Sequence, residues 1–181
     1  DYYIIEYTAV GRKESRYSWE GVLWRTTEYS GEKIKSSVSY SYIGTNISSY
    51  TVSVYNSNGR KAKETNYDGN GTERSSSEYE YNENGYIISE TLYDTDGKKS
   101  RYRAYLGTGV ENDSTLTEEI RYDALNGEET YHHKYEYDEN GRLIKDTAIP
   151  GASMTYEYDE NGRVIRRSTI LSDGSLKDYY I

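Results

Sequence analysis

The chain has two imidazoles, His132 and His133, and imidazole is the side chain most ready to carry a proton or hold a metal near neutral pH. The two are adjacent, so on a strand they point to opposite faces and cannot converge on one metal or one nucleophile. They read as ordinary strand residues; a metal site would need carboxylates from neighbouring strands. Serines abound, but none sits in a G-x-S-x-G elbow. Carboxylates are so numerous that some pair must fall at glycosidase separation, and nothing in the order of residues singles one out. Asp94-Thr95-Asp96-Gly97 opens like a calcium loop, yet its glycine comes early and Tyr105 stands where the bidentate glutamate belongs. Hairpin turn chemistry accounts for it without an ion. The sequence therefore predicts no catalytic residue, no metal, no cofactor and no enzymatic activity.

Aromatic rings are the other chemistry on offer: 24 Tyr and 2 Trp, with no Phe. Rows of such rings can stack on sugars and bind their hydroxyls, which makes Trp19, Trp24, Tyr135, Tyr137, Tyr156 and Tyr158 candidate glycan-binding residues. The same residues have a structural reading, which is preferred. The tyrosines would be the hidden face of a sheet, and the two tryptophans would plug its open end as an atypical terminal repeat does.

The element that would position the rings is the octapeptide Y-E-Y-D-E-N-G-R, present at residues 135–142 and again, letter for letter, at 156–163. Tyr135 and Tyr137 alternate with Glu136, the period of a half-buried strand. Asp138 can accept backbone N–H bonds, Glu139 and Asn140 can both be right-handed, and Gly141 supplies the left-handed residue that a bulge requires. Arg142-Leu143-Ile144-Lys145 then leaves as a second strand. A three-residue loop closed by Gly141 would set Tyr137 opposite Leu143 and Glu136 opposite Ile144.

The Y-x-Y-D-x-x-G-R-L pattern at residues 135–143, repeated at 156–164 with Val164 in the last place and followed more loosely at 79–87 (Y-E-Y-N-E-N-G-Y-I), resembles the YD repeats of the Rhs family, which build bacterial toxin-complex shells and occur in teneurins. The resemblance covers roughly two thirds of the chain. It implies a curved, spiralling sheet with tyrosines inward and brings carbohydrate binding with it as an expectation. The chain lacks the D-P-x-G type of self-cleavage sequence, which speaks against an autoproteolytic toxin shell.

Tyrosine followed four residues later by glycine recurs ten times, from Tyr7/Gly11 to Tyr158/Gly162, including Tyr40/Gly44 and Tyr105/Gly109. Tyr122/Gly127 carries one extra residue, and Ser172-Asp173-Gly174 has lost its tyrosine. The steps Gly59 to Gly71, Gly85 and Gly97 are 12, 14 and 12 residues, each one strand plus one turn. Alternate turns must then lie at opposite ends of an antiparallel meander. Longer loops are expected at 107–126 and 148–154, the second holding Pro150. Residues 111–120 are the only candidate for a helix. The predicted organisation is one repeat domain over 1–181, irregular or cap-like over 1–50 and regular over 51–181. The predicted fold class is all-β, an antiparallel β-hairpin meander of about a dozen strands, a curled or spiralling single sheet with a Tyr-lined face.

Charge and composition narrow the partners. A net charge of −9 leaves no basic stripe for nucleic acid. No apolar run is long enough to span a membrane as a helix, and without cysteine there are no disulfides, thiolate zinc sites or thiol chemistry. A Tyr-, Ser-, Thr- and Asn-rich β-repeat fits a secreted or cell-surface bacterial protein. D-Y-Y-I stands at residues 1–4 and again at 178–181, so Tyr2, Tyr3, Ile4, Tyr179, Tyr180 and Ile181 are candidate self-association residues on unblunted edge strands. Copies joined head to tail would form an open filament. The leading expectation is a non-catalytic extracellular structural protein that self-assembles with other copies of itself; the alternative is a module for cell-surface glycan, and a glycan-acting hydrolase is the remote third.

Overall fold

The structure, a computed structural model, describes residues 1–106, 115–123 and 125–181. Among these residues the chain forms strands and turns only. The strands are β1 (Tyr2–Thr8), β2 (Gly11–Tyr17), β3 (Leu23–Ser30), β4 (Lys33–Ile43), β5 (Asn46–Tyr55), β6 (Lys61–Asp68), β7 (Glu73–Tyr81) and β8 (Ile87–Tyr93). They continue as β9 (Lys99–Tyr105), β10 (Leu116–Tyr122), β11 (Glu129–Tyr137), β12 (Leu143–Ala148), β13 (Ser153–Tyr158), β14 (Val164–Ile170) and β15 (Leu176–Tyr180). Their order in the sheet is their order in sequence, so the expected meander is present, with fifteen strands rather than about a dozen.

One corner recurs and explains most of the turns. The Asp138 N–H donates to the Arg142 carbonyl at 2.9 Å, and the Gly141 N–H donates to the Asp138 carbonyl at 3.0 Å. Asp138 Oδ1 accepts the N–H groups of Asn140 and Arg142, each at 2.9 Å. Gly141 sits at φ 76°, where a side chain would be strained. The same arrangement is built on Asn56, Asp68, Asp94 and Asp159, and on the hydroxyl of Ser18. The turn at Tyr122 does take its extra residue: the Asp123 N–H donates to Glu128 and the Gly127 N–H to Asp123.

Register is where the structure corrects the sequence reading. Tyr137 does face Leu143, but the ladder then slips by one residue, so Glu136 faces Lys145 instead of Ile144. The second copy slips identically, with Tyr158 opposite Val164 and Glu157 opposite Arg166. A bulge of one residue puts opposite charges across the strands, Lys145 Nζ at 3.2 Å from Glu136 and Arg166 Nη1 at 3.4 Å from Glu157, where an unbulged ladder would set glutamate against isoleucine. Two glycine assignments also change. Gly11 is the first residue of β2, paired with Thr8 across a two-residue turn. The turn between β3 and β4 uses Gly31, which has no tyrosine four residues before it. The helix candidate at 111–120 is overturned over Leu116–Ile120, which is strand β10, because cross-strand partners for Glu118, Glu119 and Ile120 outweigh local helix propensity. Residues 111–114 and the Tyr105/Gly109 corner lie outside the described residues.

The chain divides into two compact units, Asp1–Glu80 with Thr91–Lys98, and Tyr81–Glu90 with Lys99–Ile181. Neither buries an apolar side chain among the described residues; the buried side chains are serines, threonines and one glutamate. In the first unit Thr27, Ser37 and Ser53 sit side by side across β3, β4 and β5. These small mid-strand residues are covered by their longer neighbours, and their hydroxyls find partners: Ser37 Oγ lies 3.4 Å from Tyr55 Oη, and Ser53 Oγ donates to Glu64 Oε2 at 3.3 Å. The opposite face carries Tyr40, Tyr50 and Tyr67 in register, with ring centroids 6.0 and 4.8 Å apart. Tyrosines therefore occupy both faces of this unit. In the second unit Ser89 and Ser168 are buried in the same way, and so is Glu119 on β10, 6% exposed.

Candidate functional site

Strand alternation sends Arg101 and Arg103 from β9, Glu119 and Arg121 from β10, and Tyr131, His133 and Tyr135 from β11 to one face of the second unit. β12 adds Asp146 opposite Tyr135. Glu119 Oε1 lies 3.1 Å from Arg121 Nε, 3.3 Å from Arg101 Nε and 3.9 Å from Arg103 Nε. Arg103 also reaches Glu90 Oε2 at 3.5 Å, the same oxygen that accepts the Tyr105 hydroxyl at 3.2 Å. The Glu119 hydrogen bond and charge hold the Arg121 guanidinium firmly ionised, above its ordinary range.

Beside the arginines lies an aromatic stack. The Tyr131 and His133 rings are parallel within 7° at 4.3 Å, and the Arg121 guanidinium rests 4.6 Å over Tyr131. Asp146 Oδ1 meets His133 Nδ1 at 2.6 Å; a carboxylate accepts, so Nδ1 carries the hydrogen and Nε2 is left as the second functional atom. The Tyr131 and Tyr135 hydroxyls meet at 3.1 Å. Burial first, then that hydrogen bond, pushes the Tyr135 phenol well above its usual range, so it acts as a neutral donor. A shallow groove runs between residues 129–133 and Ala148, Ile149 and Pro150.

His132 points to the other face, as its adjacency requires. Its Nε2 is 2.7 Å from Glu118 Oε1 and its Nδ1 is 3.3 Å from Glu129 Oε2. Burial would raise Glu118, but hydrogen bonds and charge from His132 and Lys134 leave it below the usual carboxylate range. No group of three metal-ligating side chains occurs among the described residues. The Asp146–His133 pair has the form of an oriented base, but no hydroxyl or thiol nucleophile approaches it among the contacts of the described residues.

The structure does not gather the six glycan candidates into one place. Trp19 and Trp24 belong to the first unit, and the plug reading fails for both: Trp19 takes the outer position of the Ser18 corner and is 81% exposed, and Trp24 is 46% exposed. Tyr137 and Tyr158 turn their hydroxyls to the backbone, donating to the Leu116 and Leu143 carbonyls at 2.7 and 2.8 Å. Tyr156 leans to Met154 Sδ at 3.9 Å, and only Tyr135 joins the cluster around His133. Among the candidate association residues, Tyr2 stacks on Tyr17, while Tyr179 and Tyr180 each lie under an arginine of β14 at 5.0 Å. Tyr3 and Ile4 are exposed on β1, and Ile181 follows β15. The arginine cluster was missed in the sequence. Its signal is the i, i+2 alternation Arg101/Arg103, Glu119/Arg121 and Tyr131/His133/Tyr135, which has meaning only once the register across three strands is known.

No family model and no curated protein matches the chain. Among solved structures, the crystal structure of TcdB2-TccC3-TEV is similar over 97% of this chain at 11% identity and a TM-score of 0.39, and the match spans 12% of that chain. A porin-like protein from Bacteroides uniformis is similar over 98% of this chain and 91% of its own, at 12% identity and a TM-score of 0.35. TarM is similar over 70% of this chain and 20% of its own, at 12% identity and a TM-score of 0.31. At these scores none of the three informs the activity of this chain.

Proposed function

We propose that this chain is a non-catalytic structural element of a secreted or surface-bound bacterial assembly, and that copies join by strand addition, β15 of one against β1 of the next. The observation that carries the reading is the edge offered by β1. It pairs with β2 through seven consecutive partners without a bulge, all its side chains are exposed, and Glu6 is its only charge. Unbulged edges with so little charge are templates for another strand. β15 is less bare, carrying Lys177 and Asp178, but offers Tyr179 and Tyr180, 52% and 60% exposed. The shared D-Y-Y-I supplies the same β-forming side chains to both edges. The bacterial and extracellular setting rests on composition and on the repeat resemblance.

The test is the size distribution of the purified chain by light scattering and negative-stain electron microscopy, beside a Tyr3→Lys/Tyr180→Lys variant. Ordered oligomers or filaments are expected, and the two lysines should abolish them. A monodisperse monomer in both would sink the reading. A second reading, glycan binding, is favoured by one observation, the exposed indoles of Trp19 and Trp24. It expects saturable changes in tryptophan fluorescence with particular sugars, lost in Trp19→Ala.

A further inference from the structure

We propose that the face of the first unit bearing Tyr40, Tyr50, Tyr67 and Glu73 docks a basic, proline-rich segment of a partner protein in the polyproline II form. The proposal goes beyond edge pairing and does not depend on it.

The first argument is a row of rings with unspent hydroxyls. Tyr40, Tyr50 and Tyr67 stand in register on β4, β5 and β6, half-buried, with ring centroids 6.0 and 4.8 Å apart. Tyr29, Tyr93 and Tyr105 give their hydroxyls to glutamates, whereas the hydroxyls of this row meet no acceptor among the described residues. Val52 and Val54 continue the apolar surface along β5, Val54 being exposed. A polyproline II segment suits such a surface, because its carbonyls have no internal partner and its proline rings pack on aromatic ones. The second argument is spacing. Two strand steps, from Tyr40 to Tyr67, span about 9.6 Å, and three residues of polyproline II advance about 9.3 Å. Prolines at i and i+3 of a segment lying across the strands therefore meet the outer two rings, with Tyr50 between them. An extended strand returns a side chain to one face about every 6.6 Å and falls out of step with the rings.

The third argument is the charge at one end of the row. It continues onto β7, where Tyr67 faces Glu73. The cations beside it are taken, Lys63 by Glu78 at 3.1 Å and Arg74 by Asp68 at 2.7 Å. The Glu73 carboxylate has neither an ion pair nor a hydrogen bond among the described residues. A lysine or arginine two residues beyond the second proline would reach it and form a charge-assisted pair. The net charge of −9 favours a partner of the same basic sign.

The experiment is fluorescence anisotropy of the labelled peptide A-P-P-L-P-P-R-A, titrated with the Tyr3→Lys/Tyr180→Lys variant so that strand addition at the edges does not intervene. Two control peptides run beside it, A-A-A-L-A-A-R-A without proline and A-P-P-L-P-P-E-A with the charge reversed. The first peptide should bind with an affinity that falls as salt rises, and each control should bind at least about tenfold more weakly. Adding Glu73→Gln should make the arginine and glutamate peptides bind nearly alike. Adding Tyr40→Phe/Tyr67→Phe, which keeps the rings, should weaken the arginine peptide about threefold or more. In case these additions fail to fold, the ring-proton resonances of Tyr40, Tyr50 and Tyr67 provide a second readout without them; they should shift with the arginine peptide and not with the alanine one. Equal binding of the alanine peptide, an arginine preference that survives Glu73→Gln, or ring resonances that do not move would overturn the proposal.

Discussion

At the scale of the residue, the corner carboxylates and amides matter most, because each ties two backbone N–H groups that a tight turn would otherwise leave to water. Asn56 does this for Asn58 and Arg60, both at 3.0 Å. Asn56→Ala is expected to cost about 1 kcal/mol, measured by urea unfolding, and the loss should be the same at pH 7 and pH 3. Asp138 adds charge to the same geometry. The Arg142 N–H first, and the Arg142 guanidinium second, hold its carboxyl below the usual carboxylate range. Its folded pKa therefore lies below the unfolded value of about 3.9, so its stabilisation is complete above that pH and disappears as pH falls through the folded value. Asp138→Asn keeps the acceptor and loses the charge. The stability gap between parent and variant should shrink as pH drops below about 4, and a gap unchanged in strong acid would refute the assignment. Asp68 follows the same logic, with Thr72 as the leading donor.

At the scale of the element, the bulge after each corner decides which side chains meet. It pairs Glu136 with Lys145 and Glu157 with Arg166, and it recurs where Tyr55 faces Lys61 and Tyr67 faces Glu73. Two glycines separate the two demands of such a corner. Gly141 has open space around it, so Gly141→Ala meets only backbone strain, about 1–2 kcal/mol. A Cβ on Gly69 would lie 2.1 Å from the Ile47 carbonyl oxygen, so Gly69→Ala must push β5 from the turn and should cost more, above about 2 kcal/mol. Urea midpoints in the reverse order would show that close approach is not what Gly69 is for. Much of this element was legible beforehand: alternation around Tyr137, the Asp138 turn and the Gly141 stop all follow from one octapeptide. The slip at Glu136 was not, because a bulge is a property of two strands and charge pairing across them, invisible in one. The arginine cluster was hidden for the same reason. The exposure of Trp19 was hidden differently: the Ser18 corner uses serine where other corners use aspartate or asparagine, so Trp19 was not recognised as an outer turn position.

At the scale of the whole molecule, tyrosine stands in for an apolar core. The sheet buries hydroxyl residues at mid-strand and leaves its large rings half covered, each with a hydroxyl that must find an acceptor. The acceptors are often glutamates on the neighbouring strand: Tyr29 donates to Glu14 at 3.1 Å, Tyr93 to Glu78 at 3.0 Å and Tyr105 to Glu90 at 3.2 Å. Burial first, and the glutamate beside each ring second, raise all three phenols above their ordinary value. A folded pKa above the unfolded value of about 10 means stabilisation that is complete below that pH and is lost as pH rises through the folded value. A leucine core has no such dependence. The sheet should therefore hold its stability through neutral pH and unfold cooperatively at alkaline pH. Phenolate absorbance should rise late for part of the tyrosine and jump together with the loss of β circular dichroism. Tyr93→Phe and Tyr105→Phe, which keep the ring and remove the hydroxyl, should lower stability at neutral pH and make its fall above about pH 10 shallower. Complete phenolate titration along the ordinary tyrosine curve with the sheet intact would mean that the rings merely decorate the strands and that something other than tyrosine holds them.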